Sequence, residues 1–376
     1  MSFAPAPPYR HGSAESTAVL LVNLGTPAAP TAAALRRYLA QFLWDPRVVE
    51  IPRPLWWLIL HGVILRTRPA KSAAKYAAIW TPAGSPLLRW TQRQAACLQA
   101  ELRGRGHSGL IVRPAMRYGE PAIDKTLDAL QAEGATRVLV LPLYPQYAAA
   151  TTASTIDAVA AWVAGNRRVP ELRFINHYHD DPGYIAALAA SVQAHWARQP
   201  RGDKLVMSFH GVPARSLTLG DPYHCECHKT ARLLAEALGL AKDDYLVTFQ
   251  SRLGRAKWLE PYTEPTVKKL AVQGIKRIDA ICPGFAADNL ETLEEIAMEA
   301  KDAFIGAGGE QFNFIDCLND RPDWISALAD LSLRHLQGWP GVGSGGGAPG
   351  PTPIPATTSA EREAQRQRAL ALGAVD

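Results

Sequence analysis

The chain has 376 residues, of which 47% are hydrophobic and 20% charged, with a formal net charge of +5. This length fits two domains of ordinary size plus tails, and the apolar content excludes a disordered chain. Basic and acidic residues are interleaved, so no nucleic-acid partner is expected, while a mild attraction to anionic membrane surfaces is compatible with the charge.

Residues 1–17 hold no continuous apolar core and read as a flexible N-terminus, not a secretory signal. Residues 18–23 form an apolar run of strand length that stops at Leu24-Gly25-Thr26-Pro27, which predicts a fully buried strand ending in a tight turn. Residues 55–65 are apolar but too short to span a bilayer, and they are flanked by Arg53, Arg66 and Arg68. Two readings stand for them, a buried helix or an interfacial lip over 52–69. Pro52, Pro54, Gly62 and the adjacent Trp56 and Trp57 favour the lip. A polar helical stretch at 122–133 then leads into a second buried strand at 134–142.

The second half repeats the pattern. Residues 204–213 echo 18–27, both strands closing in Gly-x-Pro, and residues 270–283 echo 130–142. Alternating strands and helices predict parallel sheets, and the matched order predicts two similar α/β lobes, at 18–165 and 166–337. Ligands of such sheets bind beyond the carboxyl ends of the strands, so the turns there are the places to look. From 338 to 376 the composition becomes Gly- and Pro-rich, a linker and accessory tail whose last part, 360–372, can form a short charged helix.

His210 follows one predicted strand and precedes Gly211. Its imidazole can take a proton or bind a metal at the mouth of the sheet, or it can simply satisfy a backbone carbonyl; position alone leaves both readings open. Beyond the last repeat strand, Glu291, Glu295 and Glu299 recur at i, i+4 and i+8, which on an α-helix lines three carboxylates along one face. Such a row of hard oxygen ligands suits passage of a divalent cation. A capping box from Asp288 accounts for Glu291 alone, and an acidic solvated face is the plain alternative for the other two. His224-Cys225-Glu226-Cys227-His228 has the atoms of a zinc or iron-sulfur site but no separated second pair, so a reduced, partly exposed pair of thiols is the favoured reading. Five scattered cysteines make no disulfide framework and fit a reducing cytoplasm. Tyr76, Trp80, Ser85, Arg117, Tyr118, Tyr144, Tyr147 and Trp258 mix rings with polar groups, as a large flat ligand with acidic side groups requires, although each alone also suits packing.

Taken in order, Val22-Asn-Leu-Gly-Thr-Pro27, Gly84-Ser-Pro86, Arg117-Tyr118, Tyr144-Pro-Gln-Tyr147, Ser208-Phe-His-Gly-Val-Pro213, Gln250-Ser251, Trp258-Leu-Glu-Pro261 and Cys282-Pro-Gly-Phe-Ala-Ala-Asp-Asn-Leu-Glu-Thr-Leu-Glu-Glu295 resemble the ferrochelatase family over residues 18 to about 335. The resemblance implies two Rossmann-like lobes, each a parallel sheet flanked by helices, around a porphyrin cleft. It implies an enzyme that inserts ferrous iron, as substrate, into protoporphyrin IX to give protohaem and two protons. His210 and Glu291 would be the catalytic and metal-contacting pair, and Glu295 and Glu299 a metal path. Leu24, Tyr76, Ser85, Arg117, Tyr118 and Trp258 would meet the porphyrin, which enters over the lip.

No permanently bound cofactor is expected, and no iron-sulfur cluster, because the tail lacks the cysteines that cluster-bearing relatives carry there. Leu24 stands where some relatives have methionine, and Asn289 where some have histidine. A cytoplasmic monomer with peripheral membrane contact fits these features. The alternatives are a cobalt chelatase acting on another tetrapyrrole, against which the apolar lip argues, and a non-catalytic haem or porphyrin carrier, which would not need the carboxylates beside His210.

Overall fold

The computed structural model describes residues 3, 4, 6, 7, 10–252, 256–340 and 358–375. The Gly-rich linker expected within the tail falls mostly at 341–357, outside the described residues, and the charged helix beyond it forms at Ser359–Ala371, with Thr358 and Glu361 as a reciprocal capping box.

Strands β1 (Ser16–Gly25), β2 (Leu110–Tyr118), β3 (Ala135–Pro142) and β4 (Glu171–Phe174) form one parallel sheet in the order β2-β1-β3-β4. Strands β5 (Lys204–His210), β6 (Tyr245–Gln250), β7 (Arg277–Ile281) and β8 (Gln311–Ile315) form a second in the order β6-β5-β7-β8. The two orders are the same, so the repeat of strand pattern in the sequence is a repeat of topology. In both sheets the strand with the Gly-x-Pro exit is central.

Those central strands carry runs of consecutive apolar residues, 18–22 and 205–207, because both faces are covered. Ala18, Leu20 and Val22 face an outer core with the helix Ile123–Ala132, while Val19 and Leu21 between them face inward. In the second sheet Val206 faces outward, and Leu205, Met207 and Phe209 face inward. The inward sets from both sheets meet in one continuous core, filled by helices Pro86–Gly104, Pro182–Trp196, Tyr223–Ala237 and Pro322–His335. The two lobes therefore share their largest core.

A separate cluster of Leu35, Tyr38, Leu43, Trp56, Leu60, Leu65 and Tyr76 packs beside the end of β1. It includes the inner side of the expected lip, which folds as helix Arg53–Ile59, a π-helical turn Leu60–Ile64 and helix Leu65–Ile79. Trp56 and Leu60 are buried, and the Trp56 indole N–H donates to the Leu43 carbonyl at 2.6 Å. Leu55, Trp57, Leu58 and Val63 are more than half exposed. The buried-helix reading thus holds for one face, and the other face is apolar and exposed. Among the described residues no helix is long and apolar enough to cross a membrane.

Candidate active site

β1, β5 and β6 end at one side of the molecule, and the chain after β7 turns there into helix Glu291–Ala300. Gly25 closes β1 with φ +116°, and a Cβ there would lie 1.8 Å from the Tyr118 carbonyl oxygen, so the tight exit requires glycine. Gly211 follows His210 for a related reason. Its N–H donates to the Gln250 carbonyl at 2.7 Å, and a Cβ would meet that oxygen at 2.6 Å and the Trp258 ring at 3.2 Å. Pro213 bridges Trp258 in an antiparallel pair, which lays the Trp258 segment beside the β5 exit.

His210 is half-buried, and its Nδ1 lies 2.6 Å from the Gly211 carbonyl oxygen. A carbonyl can only accept, so Nδ1 carries the proton and donates it. The reading in which a ring nitrogen satisfies a carbonyl therefore holds for Nδ1, and in the neutral ring the lone pair falls on Nε2.

Glu291 is the acid that answers it. Desolvation raises the Glu291 pKa above the ordinary carboxylate range; a proton on the nearby His210 would pull it partly back, and Glu295 pushes it up again. From the other lobe, Tyr38 and Tyr76 feel the Glu291 charge, and burial is the main reason that both phenols sit well above their usual pKa. Leu24 and Leu290 pack on the same cluster as these tyrosines. His210 and Glu291 on one lobe thus oppose Tyr38, Tyr76 and Leu24 on the other. Ser85 is buried beside them, accepting a hydrogen bond from Thr26 at 2.8 Å.

Two expectations about the acidic helix are corrected. Its capping pair is Asn289 with Thr292, where the Thr292 N–H donates to Asn289 Oδ1 at 3.1 Å and the Asn289 N–H to Thr292 Oγ1 at 3.0 Å. Asp288 instead accepts from Asn319 Nδ2 at 2.6 Å and from Thr292 Oγ1 at 3.0 Å, which leaves the Glu291 carboxylate out of the cap. The helix itself is a π-helix over Glu291–Ala300, and what divides Glu291, Glu295 and Glu299 is the set of partners packed against it. Glu295 turns to Gln250, whose Nε2 donates at 3.2 Å, and to the Ser251 hydroxyl. Glu299 shares Lys75 with Glu294, five residues earlier, at 2.8 and 2.9 Å. Glu299 therefore belongs to a lysine-bridged pair at the surface, while Glu295 stays beside Glu291.

Arg117 and Tyr118, expected against the porphyrin, are committed elsewhere. Tyr118 is 2% exposed, and its hydroxyl donates to Asp45 at 2.8 Å. The Arg117 guanidinium meets the same carboxylate at 2.6 Å and also donates to Ser154 Oγ at 2.7 Å. Both reach Asp45, whose carboxylate lies at the end of β2, from 72 and 73 residues further along the chain.

Sequence reasoning gave no task to Tyr38, Asp45, Lys75, Gln250 or Ser251. Gln250 and Ser251 carry a local signal, since they lie in a resembling segment at the very end of β6. Gln250 is held by Ser208, whose Oγ donates to its Oε1 at 2.8 Å, and it donates to the Glu291 carbonyl at 2.6 Å. It ties the β5 exit to the start of the acidic helix.

The cysteines of the 224–228 segment do not converge. Cys225 is exposed and Cys227 is fully buried, while the His224 and His228 rings pack on Phe249.

The ferrochelatase family model matches residues 16–336. The chain belongs to the ferrochelatase family. Relatives named ferrochelatase include those of Methylibium petroleiphilum, 67% identical over 340 residues (90% of this chain and 93% of that protein), and of Polaromonas sp., 66% identical over 344 residues (90% and 94%). That of Janthinobacterium sp. is 61% identical over 342 residues (91% and 93%). Among solved structures SirB from Bacillus subtilis with Fe3+ is a distant likeness, with TM-score 0.46 and 14% identity over 84% of this chain and 93% of that one. For the ferrochelatase family the match spans both sheets and every strand end described above.

Proposed function

We propose that the protein is a metal chelatase of lyase type that inserts ferrous iron into protoporphyrin IX, releasing two protons and forming protohaem. The observation that carries the reading is the His210 ring, fixed by its Nδ1 hydrogen bond to the Gly211 carbonyl so that the lone pair falls on Nε2, with Glu291 near enough for the two groups to influence each other electrostatically. Family membership supplies the reaction class.

Insertion requires two pyrrole protons to leave while iron sheds water. Neutral His210 accepts a pyrrole proton at Nε2, and Glu291, whose raised pKa brings it nearer to neutrality, takes protons onward from the histidine. Glu295, held by Gln250 and Ser251, extends the carboxylate path. Leu24, Tyr76 and the partly buried Trp258 supply apolar walls for a flat ring, and Ser85 supports the wall through Thr26. Holding the macrocycle puckered between these walls would expose its nitrogen lone pairs to the metal.

In the same reading the chain works as a cytoplasmic monomer without a resident iron-sulfur cluster. The absence of cysteine from 338–376 supports the second point. The exposed Leu55, Trp57, Leu58 and Val63, flanked by Arg66, support peripheral contact with a membrane from which an apolar porphyrin is taken.

His210→Ala should abolish iron insertion, followed anaerobically by the visible spectrum, while porphyrin binding measured by fluorescence quenching stays within a few-fold of the parent. Turnover near the parent's rate in that variant would sink the assignment. Tight haem binding with no metal uptake by the parent would establish the carrier reading instead.

A further inference from the structure

His177, His179 and Glu226 bring three metal-ligating side chains together, with ligand atoms all within 4.8 Å of one another. His177 and His179 lie on the segment that leaves β4 and crosses towards the second lobe. Glu226 lies in the first turn of helix Tyr223–Ala237. Among the described residues no hydrogen bond joins the three to His210, Glu291 or Glu295.

The site is built rather than incidental. Glu226 is buried, and its Oε2 is fixed by the Tyr147 backbone N–H at 2.7 Å. The backbone of His179 is fixed too, because its carbonyl accepts from Thr230 Oγ1 at 2.7 Å, one turn along the helix from Glu226. The His179 side chain is 8% exposed, and its Nδ1 lies 3.4 Å from Glu226 Oε2 without forming a hydrogen bond. A buried ring nitrogen left unpaired beside a carboxylate oxygen is costly as a resting state, and it is the arrangement of two donors aimed at a common third atom. His177 closes the group from the solvent side, its Nδ1 2.6 Å from Glu226 Oε1. Ligands about 2 Å from a tetrahedral ion are about 3.3 Å apart, so an ion placed here would push His177 Nδ1 away from Glu226 Oε1 and draw the more separated ligand atoms together, movements open to the exposed His177 ring.

We infer that His177, His179 and Glu226 form a second divalent-metal site, separate from the porphyrin cleft. Two imidazoles and one carboxylate make a borderline donor set, suited to zinc or a neighbouring first-row ion, with a fourth position left to water. The ion would pin the crossing segment to helix Tyr223–Ala237. Through the Glu226–Tyr147 bond it would also pin the loop after β3, so it would staple the two lobes. This also gives Glu226, alone of the 224–228 segment, a ligand's task.

The test uses the full chain, freed of metal by chelator, without porphyrin, and titrated with zinc for affinity and stoichiometry and with cobalt(II) for visible d–d bands. The His210→Ala background removes any ion held in the cleft. In that background one equivalent of zinc is expected to bind and raise the Tm. His177→Ala should weaken it by about 10- to 100-fold, a loss of the size that disturbed metal sites show. His179→Ala and Glu226→Gln should abolish the cobalt bands. His177 is exposed, so its variant should fold even where His179→Ala does not. Zinc stoichiometry and affinity unchanged in His177→Ala, or no zinc bound in the His210→Ala background, would overturn the inference. These readouts involve no porphyrin and are independent of the proposed reaction.

Discussion

Asp45 illustrates how one carboxylate organises residues that local sequence assigns elsewhere. Burial alone would raise its pKa, but hydrogen bonds from Ser154, Tyr118 and the Arg47 N–H, with the Arg117 charge, bring it below the ordinary aspartate range. A depressed carboxylate pKa contributes stability that is present above the unfolded value, about 3.9, and lost as pH falls through the folded value. Asp45→Asn should therefore destabilise the protein by about 3–5 kcal/mol at pH 7, because it leaves the Arg117 charge without its partner. The difference from the parent should shrink below pH 4 in urea melts. A constant difference across that range would show that the carboxylate's charge is not what matters. His210 obeys the same logic of neighbours, since its tautomer is set by the Gly211 carbonyl and not by its own sequence context.

Among the elements, the π-helix Glu291–Ala300 decides which acids meet. Lys75, on the lip-side helix Leu65–Ile79, joins it to the first lobe through Glu294 and Glu299. Desolvation already raises the Glu294 pKa, and Lys75 opposes that rise. Lys75→Met would let it climb further, and a group whose folded pKa is raised loses stability as pH increases. We expect a loss of about 1 kcal/mol at pH 8 and a smaller one at pH 5, given that the lysine is 43% exposed. Equal losses at both pH values would place the effect in packing instead.

The lip divides in the same way between faces. Leu58→Asp, on a residue 61% exposed, should leave the Tm within a degree or two and reduce co-sedimentation with anionic vesicles several-fold. Vesicle binding equal to the parent's would remove the membrane role from this face.

For the molecule as a whole, the shared core makes the lobes one cooperative body. Trp324, 1% exposed, sits between Tyr178 and Tyr184, with ring centroids 5.9 and 5.7 Å away. Its helix packs on Pro86–Gly104 of the first lobe, and Gln94 there donates to the Ala286 and Asn319 carbonyls, each at 2.7 Å. Trp324→Ala should cost about 3–5 kcal/mol and lower a single unfolding transition. Two separated transitions, reported by probes in different lobes, would show that the lobes are independent.

Much of this was legible in the chain because it is encoded locally. Strands covered on both faces carry consecutive apolar residues, so 18–22 and 205–207 announce themselves. A tight exit needs glycine, so Gly25 and Gly211 mark the strand ends where His210 stands. Helical turn width carries no such mark: the spacing of Glu291, Glu295 and Glu299 is the same string whether the helix is α or π, and its hydrogen-bond register depends on what packs against it. Partners 70 or more residues apart, such as Asp45 with Tyr118 within one lobe or Lys75 with Glu294 across the two, leave no local pattern either, because such pairing follows from the docking of whole elements. The sequence by itself determined the repeated parallel sheets and their exits, at one of which His210 stands. Only the tertiary structure decided which acids face the histidine and which face a lysine, since charge pairing depends on distances that exist after the lobes have closed on their common core.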